Sequence, residues 1–272
     1  LSEIANQLKD EKIIRSSTFF IILAKIDGKE EKIRPGDYFF KEPIDALKII
    51  NRLTDSDFLS KSVKITIPEG MTAVSIAEIF KDFDNFDTDR FINLIEDQKL
   101  EGYLFPDTYF FLDSVTEKDV IENMKGNFDK KLSDFFEEVG KSGRSLSDII
   151  NMASIIEKEI SNSDDRKTVS GILWKRLDKG MLLQVDAVFY YIDGKKDSKV
   201  NFDDLKIDSP YNTYLYKGLP PTPICNPGLD AIRAALEPED SPYWYYLSGK
   251  DGKIYFAKTF EEHKINRAKY LK

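Results

Sequence analysis

Apolar residues in SEIANQLKD (2–10) and VSIAEIFKD (74–82) recur every three or four positions, which predicts an amphipathic helix at each. The two segments share Ile-Ala, a large apolar residue four places after that Ile, and a closing Lys-Asp, a faint internal echo. Ahead of the second copy, VKITIPEGMT alternates as a strand does, ends at a Pro-Glu-Gly turn and offers Thr72 as a helix N-cap. TFFIILAKI (18–26) is half the length needed to cross a bilayer and reads as a buried strand. IRPGDYFF (33–40) reads as a turn and strand, and EPIDALKIINRL as a helix with Pro43 near its start. Residues 1 to about 62 thus form a small α+β module. A second unit starts at 63, with a strand–helix segment to about 100.

Further along, EGYLFPDTYFF (101–111) is aromatic around a Pro-Asp turn, and helices follow to about residue 139. VGKSGRSLSD reads as a loop in which Ser145 and Asp148 have capping-box spacing, opening the helix that carries MASIIEKEIS (152–161). A second helix runs from about Asp164 to Lys179 and stops at Gly180. LLQVDAVFYYI, the long loop SPYNTYLYKGLPPTPICNPG, a helix over 229–236, a hairpin turning at Asp251-Gly252 and a terminal helix complete the chain.

Composition narrows the function. Of 272 residues, 41% are apolar and 32% charged, the profile of a globular protein with a real core. Lys plus Arg number 40 against 48 for Asp plus Glu, and this acidic balance argues against nucleic acid as a partner. Cys225 is the only cysteine and His263 the only histidine, so neither an internal disulfide nor a His/Cys zinc site fits, and no metal is expected. His263, opening the last helix, reads as structural. No signal peptide is visible, and the chain opens on Leu1 inside a helical pattern, so it reads as a fragment.

MASIIEKEIS carries the candidate chemistry. At 100° per residue, Ile149, Ala153, Ile156 and Ile160 form one inward arc. Glu157 lies on one flank between Ala153 and Ile150, Glu159 lies on the other between Met152 and Ile155, and Lys158 points to solvent. The acids stand about 160° apart, so at most one faces a given cleft. A carboxyl bordered by Ile150 and a small Ala153 is partly desolvated, which favours its protonated form and suits a general acid. The bland alternative is a boundary glutamate paired with Arg166 or Lys167. Periodicity chooses neither between these roles nor between the two glutamates.

ASIIEKE, LLQVDAVFYY, SPYNTYLYKGLPPTPICNPG and YFAKTFEEHKINRAKY, in this order, resemble the YceG-like (MltG) family of endolytic murein transglycosylases over about residues 63–272. The N-terminal module resembles the LysM-like subdomain that precedes the catalytic domain there. The implied architecture is α+β: a partial LysM-like module at 1–62, then a mixed α/β catalytic region at 63–272. The implied reaction cleaves the MurNAc-β-1,4-GlcNAc bond of glycan strands and leaves 1,6-anhydroMurNAc ends, with no cofactor. The family makes the first glutamate of the motif catalytic, which carries onto Glu157 and leaves Glu159 an ion pair on the far flank. Glu157 would protonate the leaving oxygen and then take the proton of the C6 hydroxyl as that hydroxyl attacks C1, so one carboxyl suffices where hydrolases use two. The resemblance also implies a membrane anchor ahead of the fragment, a catalytic domain outside the cytoplasmic membrane, and peptidoglycan synthases as candidate partners.

Around that glutamate, Gln184 and Asp186 read as sugar-binding or orienting residues. Tyr211, Asn212, Thr213 and Tyr214 offer amides, hydroxyls and flat rings suited to an N-acetylated sugar. Pro220, Pro221 and Asn226 shape the loop, while Glu101, Tyr103 and Asp107 are secondary groove candidates. Two rival readings remain: a glycan-binding scaffold without activity, and an inverting hydrolase pairing Glu157 with Asp186.

Overall fold

The computed structural model describes residues 1–33, 45–54, 62–193 and 200–271. It divides into two compact units, Leu1–Lys64 with Phe110–Asp113, and Ile65–Tyr109 with Ser114–Lys272. Helix and strand are mixed in the chain, as the α+β expectation requires.

In the first unit, helices α1 (Ser2–Asp10), α2 (Ser17–Ile26) and α3 (Ala46–Thr54) bury Ala5, Leu8, Phe20, Ala24, Ile49, Ile50 and Leu53 together. The apolar run at 18–26 is therefore a helix, not the expected strand. Ser16 caps it by accepting from the Phe19 N–H at 3.3 Å. Phe20 and Ala24, four positions apart, share the buried face, while Phe19, Ile22 and Ile26 stay exposed. A run this short has no decisive period, so burial overrides the strand preference of its isoleucines. The turn and strand expected at 33–40, from residue 34 onward, and Pro43 lie outside the described residues.

Two paired strands, β1 (Ser62–Thr66) and β2 (Thr108–Leu112), have residues in each unit, and the second unit holds α4 (Ala73–Phe80) and α5 (Thr88–Gln98) between them. Thr72 caps α4 through the Ser75 N–H at 3.1 Å, as its position predicts. α6 (Glu117–Leu132) follows a full Thr116–Asp119 capping box, and α7 (Phe136–Ser142) reaches into the segment read as a loop before Gly143 stops it at φ +70°.

α8 (Leu146–Glu159) is the centre of this unit: every residue from Ile149 to Ile156 is buried, so the helix is covered all round rather than along one arc. α9 (Ser163–Asp178), α10 (Ala187–Asp193) and α11 (Leu229–Leu236) contribute to the surrounding core. The long loop lies on α8. Asn151 Nδ2 donates to the Pro220 carbonyl at 2.6 Å, and the Ile224 N–H donates to Ser154 Oγ at 3.0 Å. An antiparallel hairpin, β3 (Tyr245–Ser248) and β4 (Ile254–Ala257), pairs Tyr245 with Ala257 and turns through Gly252 at φ +76°. α12 (Phe260–Tyr270) ends the described chain.

Candidate active site

The two glutamates of α8 leave its last turn on opposite flanks, as the helical period requires, and they meet different chemistry. On the first flank, α8 ends at Glu159, and Asn162 caps α9 by accepting from the Asp164 N–H at 3.2 Å. That short link brings Arg166 back beneath Glu157. Nη2 of Arg166 donates to Glu157 Oε1 at 2.9 Å, Nη1 to Asp230 Oδ2 at 3.1 Å and Nε to the Ile160 carbonyl at 2.9 Å. The second oxygen of Glu157 accepts from the Gly228 N–H at 3.0 Å, at the start of α11. The Glu157 and Arg166 side chains are each only 8% exposed.

The Pro68-Glu69-Gly70 turn adds to this arrangement. A Cβ on Gly70 would stand 3.5 Å from Glu157 Cγ, and the Glu69 carboxyl lies so close to Gly228 that a Cβ there would meet Oε1 at 1.8 Å. Burial and the Glu157 charge push the Glu69 carboxyl above the usual range. Glu157 is therefore a buried, fully paired acceptor. The desolvation expected of it is answered by Arg166, the partner that the bland reading offered.

Glu159, expected to be the ion-paired one, has a different environment. Its Oε1 accepts from the Ala187 N–H at 3.0 Å and its Oε2 from the Tyr246 hydroxyl at 3.2 Å. As whole residues both glutamates are half-buried, so the difference lies in their partners. Burial of the carboxyl pushes its pKa up to about 7, the charge of Asp186 adds to the rise, and the bonds from Ala187 and Tyr246 oppose it. Asp186 is exposed beside it and accepts from the Tyr214 hydroxyl at 2.5 Å. Arg176 lies behind the pair, 5% exposed, with Nε donating to the Trp244 carbonyl and Nη1 to the Leu183 carbonyl, each at 2.8 Å. Two carboxyls in unlike environments, one with its pKa raised towards neutrality and one open to solvent, form an arrangement suited to acid–base chemistry.

The other expected residues separate into contacts and braces. Gln184, two residues before Asp186, is exposed in the left-handed region at φ +52°, and its N–H donates to the Thr213 carbonyl at 3.2 Å. Asn212 and Thr213 are 0% and 2% exposed. Asn212 Nδ2 donates to the carbonyls of Leu205 and Ile207, and Thr213 Oγ1 accepts from the Val185 N–H at 3.1 Å. Both brace the loop and have no face left for a sugar, which corrects the contact role expected of them. Tyr211 bonds Thr222 at 2.7 Å and packs its ring 5.0 Å from Tyr191.

Asn226 is buried with all its side-chain bonds made. Oδ1 accepts from the Gly102 and Leu104 N–H groups, and Nδ2 donates to the Met71 carbonyl and to Glu101 Oε1, over 2.9–3.0 Å. Glu101 also accepts from the Ala73 N–H, and burial pushes its pKa up to about 7. It is a buried brace rather than a groove residue. Tyr103 packs edge-on against Phe128, while Asp107 is exposed and accepts from Asn127 at 3.1 Å. Pro220 is buried and Pro221 exposed on the same loop. His263 stacks on Tyr245 at 5.5 Å, and burial lowers its pKa. Among the described residues no group of three or more His, Cys, Asp or Glu could hold a metal ion.

Tyr246 and Arg176 were not legible as site residues. Tyr246 sits in the aromatic run YWYY, whose alternation says only that its members face different ways. Arg176 reads as one more charged residue of a helix.

The description of the YceG-like family matches residues 1–269. An endolytic murein transglycosylase of Bacillus subtilis (strain 168) is 33% identical over 297 residues, covering all of this chain and 82% of that protein. The endolytic murein transglycosylase of Streptococcus pneumoniae serotype 2 (strain D39) is 27% identical over 312 residues, and this chain spans 56% of its length. The crystal structure of a YceG-like protein from Listeria monocytogenes superposes with a TM-score of 0.68 at 32% identity, covering 97% of this chain and 94% of that one.

Proposed function

The chain belongs to the YceG-like family, and from that membership and the carboxyl pair at the end of α8 we infer that it is an endolytic murein transglycosylase. Its substrate is the peptidoglycan glycan strand. The reaction breaks the MurNAc-β-1,4-GlcNAc bond, forms a bond between C1 and O6 of the muramyl residue, and moves one proton from the C6 hydroxyl to the leaving oxygen.

We assign the acid to Glu159 rather than Glu157. The observation that carries this assignment is the contrast between their partners: Glu159 is held by an amide and a phenol with its pKa pushed up to about 7, whereas Glu157 is spent on Arg166 and Gly228. Glu159 gives its proton to the glycosidic oxygen, and the carboxylate formed then accepts the proton of the attacking hydroxyl. Because the nucleophile is part of the substrate, holding the muramyl C6 hydroxyl over C1 does the work that a bound water does in a hydrolase. Asp186, exposed and fixed by Tyr214, is suited to orient that sugar, with Gln184 beside it. The hydrolase reading now runs through Glu159 and Asp186, since Asp186 is grouped with Glu159.

Mass spectrometry of strand ends tests this reading. Glu159→Gln is expected to abolish 1,6-anhydroMurNAc ends while strand binding persists. Glu157→Gln is expected to retain turnover per folded molecule, with lower stability. A dead Glu157→Gln that folds normally, beside an active Glu159→Gln, would return the acid to Glu157. Reducing ends from the unmodified protein would mean hydrolysis, and intact strands a binding protein. We further propose that residues 1–62 are a LysM-like module. By family analogy we also propose that the catalytic domain works outside the cytoplasmic membrane behind an N-terminal anchor, next to peptidoglycan synthases. Among the described residues no helix is long and apolar enough to cross a membrane.

A further inference from the structure

We propose that Tyr246 is a positioning residue for Glu159, whose phenol stabilises the carboxylate left when the proton has been delivered to the glycan. The inference rests on the assignment of the acid to Glu159. Tyr246 stands in β3, directly across from Phe256 in β4, so a paired hairpin fixes the origin of its side chain. Its hydroxyl donates to Glu159 Oε2 at 3.2 Å, while the Ala187 N–H at the start of α10 takes Oε1 at 3.0 Å. The carboxyl plane is thereby held between a strand and a helix, and the acidic proton is confined to the lone-pair directions these donors leave free.

The bond changes strength during the cycle. To a neutral carboxyl a phenol is an ordinary partner. To a carboxylate it is a charge-assisted donor, roughly twice as strong. It therefore contributes more after proton transfer has begun than before, which is the condition for accelerating a step rather than tightening binding. Burial and the neighbouring Glu159 hold the Tyr246 phenol well above its usual range, so it stays a donor across the working pH. The charged and titratable groups around the pair are Asp186, Tyr214 and Arg176. Arg176 ties the Trp244 and Leu183 carbonyls, and so holds together the segments that carry Tyr246 and Asp186.

Tyr246→Phe removes one oxygen. Its expected effect on nascent glycan strands is a fall in kcat of about tenfold, the value of one hydrogen bond to a developing charge, with KM within about twofold. Catalysis needs Glu159 protonated, so activity is lost as pH rises through its pKa. Without the phenol the carboxylate is less favoured, and this alkaline limb moves to higher pH. Site-specific 3-fluorotyrosine at 246, a stronger donor with the same shape, is expected to move the limb to lower pH. An unchanged limb in both variants would overturn the proposal, as would shifts of the same sign or a rate loss without any shift. If Glu159→Gln itself remained active, the assignment of the acid would fail first. If Glu159→Gln were dead and Tyr246→Phe ran normally, only the role of Tyr246 would fail.

Discussion

Arg166 has three acceptors and almost no water, and that fixes what Glu157 can do. A guanidinium so deeply buried needs a compensating charge, and Glu157 supplies it while Asp230 bonds from the exposed side. Removing one member leaves the other charged and buried. Arg166→Met is therefore expected to destabilise the fold by about 3–5 kcal/mol. Arg166→Met with Glu157→Gln should recover part of that loss, and urea unfolding of the two single variants and the double variant measures the coupling. Additive losses would mean that the pair is not the stabilising unit. The same residue scale bears on Glu159: among the described residues its oxygens meet backbone amides and a phenol and no cation, so its protonated form remains accessible near neutrality.

Among the elements, the site depends on two connections that cross the chain. The 101–104 turn is tied to the loop at 223–226, and Gly102 makes the approach possible at φ +89°, because a Cβ there would stand 2.6 Å from Pro223 and 3.0 Å from Ile150. Gly102→Ala combines a disfavoured backbone with overpacking against α8. It should cost about 1–3 kcal/mol or more, seen as a lower melting temperature, whereas a neutral result would show that the loop yields freely. The other connection is the α8–α9 link, where a three-residue linker and the Asn162 cap turn the second helix back under the first. Without that reversal Arg166 would not reach Glu157, and Glu157 would lack its cationic partner.

Across the whole molecule, buried acids make stability depend on pH. Glu101 is 7% exposed, and its pKa rises from 4.5 unfolded to about 7 folded. The native state therefore binds more protons between those values, and stability is present below about 4.5 and lost as pH rises to about 7. The loss from this one group is on the order of 3 kcal/mol, and Glu159 acts in the same direction. Denaturant unfolding at pH 5 and pH 7.5 should show higher stability at pH 5, with a smaller difference in Glu101→Gln. An equal difference in the variant would assign the dependence elsewhere.

Much of this architecture is legible in the chain itself. The helices at 2–10, 73–80 and 229–236, the Thr72 and Ser145 caps and the 251–252 turn follow from local rules that act over a few residues, while the reaction class follows from the family resemblance of four ordered motifs. The isoleucine-rich run at 18–26 did not yield to those rules, because a short apolar segment takes the geometry its neighbours bury best. Nor could they separate Glu157 from Glu159, which have the same side chain two positions apart. Only the tertiary structure decides that, by bringing Arg166 and Gly228 to one glutamate and Asp186, Ala187 and Tyr246 to the other from distant parts of the sequence, and a carboxyl's proton affinity is set by the charges and donors that surround it.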